Sequence, residues 1–216
     1  ETKKDEWNET LISILEKYCP ESSIVFCTTK IQCYDVAKYL NECGASAMAL
    51  HGDLEQYDRN EVMARFANGS VSILVATDVA ARGLDIKNLG AVINFQISRD
   101  PEVHVHRVGR TGRAGTKGLA ISLYNRSEVF RVKAIEELTG DKYERDLKIP
   151  ALRNTKINLK PDMVTIKING GKKNKLRPGD ILGALTKDVG IDGKHIGKIN
   201  IYEFHAFVAV QKHHAG

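Results

Sequence analysis

The residues of this chain best suited to chemistry are arginines set among glycines. The segment His106-Arg107-Val108-Gly109-Arg110-Thr111-Gly112-Arg113-Ala114-Gly115 spaces Arg107, Arg110 and Arg113 three residues apart. A guanidinium is permanently charged and forks onto phosphate oxygens, while glycine lets a backbone come close. An arginine-rich turn can equally carry surface salt bridges, but so regular a spacing argues for anion binding. A second basic group, Lys172, Lys173, Lys175 and Arg177, follows Gly170-Gly171. The machinery for holding triphosphate and magnesium unaided is missing: there is no GxxxxGK[ST] and no GxGxxG leading into a helix with a downstream acid. The chain is therefore not expected to hydrolyse ATP by itself. His104-Val105-His106 and His213-His214 are too little for a zinc site, so no metal is expected.

These residues need elements to position them. Five apolar runs, at 24–27, 47–50, 73–76, 91–95 and 119–123, predict strands of a parallel sheet buried on both faces. Between them Cys33, Val36, Ala37 and Leu40, then Val62, Met63 and Phe66, mark helix faces. Trp7, Leu11, Ile14, Leu15 and Tyr18 predict a leading amphipathic helix. The alternation predicts a doubly wound α/β domain over 1–150, followed by a basic linker at 151–160. From 161 to 216 the order β-α-β-β predicts a small α+β domain, with Pro178 opening its helix.

Charge divides along the same line. Residues 1–144 hold 18 basic against 21 acidic side chains, a net of −3, and residues 145–216 hold 14 against 6, a net of +8; together they make the +5 of the whole chain. A basic second part is either a polyanion grip or a solvated lysine-rich surface. With 42% hydrophobic and 27% charged residues, collagen, coiled coil and wholesale disorder are excluded. Cys19, Cys27, Cys33 and Cys43 form no CxxC pair and predict small buried hydrophobes in a reduced, cytoplasmic protein without a membrane span.

The arginine segment resembles motif VI of DEAD-box RNA helicases, in the second of their RecA-like lobes. Ile24-Val25-Phe26-Cys27-Thr28 resembles motif IV, His51-Gly52-Asp53-Leu54 with Gln56-Tyr57-Asp58-Arg59 the HGxxxQxxR segment, and Ala76 through Ile86 motif V. His104 stands where most of the family has tyrosine. Asn169 through Leu185, then Ile196-Gly197-Lys198-Ile199, resemble the C-terminal RNA-binding domain of the DbpA type, an RNA-recognition-motif fold. On this resemblance residues 161–216 lack the last helix and strand of that fold, and the chain is a C-terminal piece of a larger helicase.

The resemblance implies ATP as cofactor, with magnesium held mainly by a first lobe. Arg110 and Arg113 would be arginine fingers on the γ-phosphate, Asp85 would accept from the ribose hydroxyls, and Gly83 would allow close approach. Arg107 is grouped with these cofactor residues, though with His106 it would tie motif VI to other motifs. Arg59, Thr77 and Arg82 would face the RNA backbone; Asp78 would cap a short helix. The implied partners are a hairpin of large-subunit ribosomal RNA and the N-terminal lobe of the same protein; the implied role is RNA remodelling in ribosome assembly. A non-hydrolysing RNA-binding or RNA-annealing protein is the alternative. In the small domain the stacking platform is weak: only part of Glu203–Val210 matches the aromatic octapeptide, and Phe207 could equally be core. That shifts RNA binding to Lys172, Lys173, Lys175 and Arg177.

Overall fold

Apolar runs too short for helices form a parallel sheet in the first part of the chain. The computed structural model describes residues 2, 3, 6–84, 86, 89–112, 118–145, 147, 149, 156, 157 and 159–215. Its strands β1 (Ser23–Cys27), β2 (Ala47–Leu50), β3 (Ile73–Thr77), β4 (Ala91–Asn94) and β5 (Leu119–Ser122) lie in the order β2-β3-β1-β4-β5. All four pairings are parallel. β1 and β4 are wholly buried, as expected, whereas the edge strands β2 and β5 are only partly covered.

Helix α1 (Trp7–Tyr18) buries Leu11, Ile12 and Leu15 against this sheet, and Trp7 meets Phe95 edge to face at 5.6 Å. The Thr29 hydroxyl caps α2 (Lys30–Glu42), whose Cys33, Val36, Ala37 and Leu40 are buried at the predicted spacing. Next come α3 (Gln56–Ala67), the single turn α4 (Asp78–Ala81), α5 (Pro101–Val108) and α6 (Val129–Thr139). Cys27, Cys33 and Cys43 are buried, but Cys19, which ends α1 in the left-handed conformation at φ 42°, is exposed. Of the segment read as a linker, Ile157 is buried in the first core, and its N–H donates to the Cys43 carbonyl at 2.8 Å. Gly44 makes room for it: at φ +93°, a Cβ there would sit 2.5 Å from the Ile157 oxygen.

The chain divides into two compact units, Glu1–Asp53 with Ile73–Leu159, and Leu54–Ser72 with Lys160–Gly216. In the second, β6 (Met163–Ile168), β7 (Ile196–Ile201) and β8 (Ala206–Gln211) form an antiparallel sheet in the order β6-β8-β7. Helix α7 (Pro178–Gly183) lies between β6 and β7 in sequence, giving the predicted β-α-β-β order. Val164, Ile166, Val208 and Val210 share a core with Ile181 of α7. Among the described residues, no helix is long and apolar enough to cross a membrane.

Candidate nucleotide and nucleic-acid sites

In the first unit the strand order reverses around β1, the position where open α/β sheets hold ligands beyond their carboxyl ends. A cavity of ≈ 360 Å³ lies there, lined among others by Phe26 at the end of β1, Asp78 and Arg82 after β3, and His106, Arg107 and Arg110 of the motif VI segment. Helix α5 carries that segment. Asp100 caps it by accepting from the Glu102 N–H at 2.9 Å, and Pro101 pre-sets its first turn.

Arg107 is the structural centre. Only 4% exposed, it donates from Nε and Nη2 to the two Asp78 oxygens at 2.6 and 2.7 Å. Its Nη1 donates to Asn94 Oδ1 at 2.9 Å and to the Gln96 carbonyl at 3.1 Å. The guanidinium lies 5.0 Å from the centroid of the Phe26 ring. With four of its five N–H groups bonded inside the lobe, Arg107 forms part of the cavity wall and ties α5 to the ends of β3 and β4. Asn94 passes the connection to β5 by donating to Ser122 at 2.9 Å. Sequence reasoning misses Asn94, Gln96 and Phe26 as parts of the site; the available signal is an asparagine inside an apolar strand.

The cap of α4 corrects the sequence reading. Thr77, not Asp78, is the capping residue, its hydroxyl accepting from the Ala80 N–H at 3.4 Å. Asp78 begins the helix, and its carboxylate is drawn to Arg107. Arg82 ends the same turn and is exposed on the cavity wall. Gly83 follows at φ +75°, a conformation that favours glycine, with open space where a Cβ would stand, so the face before it stays clear.

Arg110 is half-buried and donates to the Leu84 carbonyl at 2.5 Å. Thr111 donates to the Leu89 carbonyl, which fastens motif VI to the segment after α4. Gly118 permits this path, because a Cβ there would lie 2.2 Å from the Gly112 nitrogen. Asp85 and Arg113 lie outside the described residues.

In the second unit Lys172, Lys173, Lys175 and Arg177 are all exposed and close in sequence. The turn Lys172–Asn174 is pinned to the 202–203 corner by N–H groups of Lys172 and Lys173 donating to the carbonyls of Tyr202 and Glu203, each at 2.9 Å. Gly171 allows the approach; a Cβ there would lie 2.3 Å from the Tyr202 oxygen. Lys175 takes φ 59°, and the Arg177 N–H donates to Asp180 at the start of α7. Arg59 is half-buried on α3.

Phe207 is fully buried and His205 nearly so, which settles Phe207 as a core residue. The covering element is α3 with the residues after it. Tyr57 meets His205 edge to face at 4.6 Å, Lys167 lies over the Tyr57 ring at 4.7 Å, and Asn68 donates to Thr165 at 2.9 Å. The face on which an RNA-recognition motif stacks bases is thus occupied within the unit.

His104, beside this machinery on α5, is 3% exposed and packs against Tyr143 with ring centroids 6.0 Å apart. Burial first, and the Arg107 charge second, push its pKa down to about 4. The unfolded chain therefore takes up a proton that the folded one refuses. The associated stability is present above about pH 6.5 and is lost toward pH 4, by roughly 3 kcal/mol. Denaturant titrations across this range should show that loss and should show it removed in His104→Tyr; an unchanged pH profile in the variant would contradict the assignment.

Residues 6–115 match the helicase conserved C-terminal domain, and residues 165–216 match the DbpA RNA binding domain. The ATP-dependent RNA helicase DbpA of Escherichia coli is 52% identical over 92% of this chain, which spans 43% of that protein's length. A DEAD box protein of the hyperthermophile Methanococcus jannaschii is 41% identical with a TM-score of 0.62, covering 66% of this chain and 39% of that one. Dbp5 of S. cerevisiae, solved with RNA and ADP BeF3, is 31% identical with a TM-score of 0.61, covering 66% and 38%. One match spans the RecA-like sheet with its gathered arginines and the other the small basic β-α-β-β unit, and together they show that the chain belongs to the DEAD-box helicase family of the DbpA type.

Proposed function

We propose that this chain supplies the nucleotide-closing lobe and the RNA-targeting domain of an ATP-dependent RNA helicase that remodels large-subunit ribosomal RNA during ribosome assembly in the cytoplasm. The observation that carries the reading is the convergence of Arg82, Arg107 and Arg110 on one cavity at the switch point of the sheet. ATP and its magnesium are held mainly by the N-terminal lobe, and this lobe closes over them. Arg110 exchanges the Leu84 carbonyl for a γ-phosphate oxygen on closure, joined by Arg113, and the two stabilise the charge of the transition state. Asp85 accepts from the ribose, with Gly83 leaving the approach open. Arg107 acts as a positioning residue whose fork stays on Asp78.

Arg59, Thr77 and Arg82 track the RNA backbone, which suits unwinding without sequence preference, because phosphate contacts position without specifying bases. Lys172, Lys173, Lys175 and Arg177 hold the ribosomal hairpin by charge and shape. The burial of Phe207 and His205 supports this division of labour, since it leaves bases no aromatic platform on that face.

In the two-lobe protein, Arg110→Ala lowers RNA-stimulated ATP turnover by about 10³ or more; turnover within a few-fold of normal would refute the finger assignment. Replacing Lys172, Lys173 and Lys175 together by alanine weakens hairpin binding and flattens the slope of log Kd against log salt by about 2–3, because each lysine neutralises close to one phosphate. An unchanged slope in a fluorescence-anisotropy titration would place the RNA elsewhere.

A further inference from the structure

We propose that His195, His213 and His214 form a binding site for a divalent metal ion of the zinc class. Their ligand-capable nitrogens all lie within 4.8 Å of one another. The rings form one cluster: His195 lies 5.2 Å from His213 and 4.8 Å from His214 between centroids, and His213 lies 4.1 Å from His214. Tetrahedral zinc with bonds of about 2.0–2.1 Å to nitrogen sets its ligand atoms about 3.4 Å apart. The present spacing, within 4.8 Å, leaves the three nitrogens about an ångström or more to close around a shared ion.

The backbone dictates the meeting. His195 ends a helical turn, Gly193–His195, that runs directly into β7, and His213 and His214 lie in the turn Lys212–His214 directly after β8. The antiparallel register pairs Ile196 with Val210, so the start of β7 stands beside the end of β8. Asp192 fixes the first turn by accepting from the Lys194 N–H at 3.1 Å, and its carboxylate also pairs with the Lys194 ammonium at 2.9 Å. One contact among the three rings is a hydrogen bond, at 2.9 Å between His214 Nε2 and His195 Nδ1. That bond accounts for two of the imidazoles; a shared cation accounts for all three.

Imidazole suits zinc, copper and nickel, and three protein nitrogens leave a fourth position for water. The ion would join the two ends of neighbouring strands and so stiffen the small unit.

The test uses the full chain carrying Cys19→Ser, so that the exposed thiol cannot supply a ligand. Zinc is titrated by calorimetry and Co²⁺ by its visible d–d absorption. Expected are one ion per chain and a cobalt spectrum without a thiolate charge-transfer band. His195→Ala and His213→Asn should each weaken binding about tenfold or more, since even partners outside the ligand set are worth about 10–100-fold. His51→Ala should leave it unchanged. Circular dichroism checks that each variant is folded, and the exposed His213 offers a substitution that leaves the core intact. Absence of stoichiometric binding, or binding indifferent to both His195→Ala and His213→Asn, would overturn the site.

Discussion

A guanidinium buried in a protein must be given back nearly everything that water supplied, and in the first unit this requirement organises the functional end of the sheet. Arg107 is answered by a carboxylate from the turn after β3, an amide from β4, a carbonyl just beyond β4 and an aromatic face from β1. Each partner stands at the carboxyl end of its strand, so satisfying one charge fixes the three central strands and α5 relative to one another. Losing Asp78 is costly because Arg107, buried, would keep its charge without a carboxylate, whereas Asp78, a third exposed, can turn to water when Arg107 is lost. The cavity wall, and with it the direction in which Arg110 points, follows from this constraint.

The second unit solves a different problem. Its central strand β8 is buried on both faces, by α7 and the apolar edge of the sheet on one side and by α3 on the other. Covering both faces contributes a core to a small unit but uses up the surface on which bases would stack. Four exposed basic residues, Lys172, Lys173, Lys175 and Arg177, stand instead on or just after a turn that the 202–203 corner holds in place. Rigid backbone beneath flexible lysines is an arrangement suited to phosphate, whose recognition depends on charge and reach more than on planar stacking.

Much of this is legible in the sequence. The central strands read as apolar runs because both their faces are buried, and α2 reads correctly because Cys33, Val36, Ala37 and Leu40 keep a helical period. The motif VI arginines are visible from spacing. What stays hidden depends on side chains that meet from distant parts of the sequence. Asp78 reads as a cap because capping is local, yet Arg107 claims its carboxylate and the neighbouring Thr77 hydroxyl takes the cap. His195 cannot be grouped with His213-His214 from sequence because it reaches the pair only through the β7–β8 register. Phe207 can be read as platform or core until α3 is seen to cover it, and Cys19, at the end of α1, is exposed where the cysteine pattern predicts burial.

The dependence of the site on Arg107 is tested most directly by a double-mutant cycle with Asp78→Ala, Arg107→Met and their combination, read by urea unfolding. If the pair is the constraint described, Asp78→Ala destabilises strongly and the double costs far less than the sum of the two single changes, with a coupling above about 2 kcal/mol. Additive losses, within about 0.5 kcal/mol, would mean that the two side chains act independently and that the cavity is held by something else.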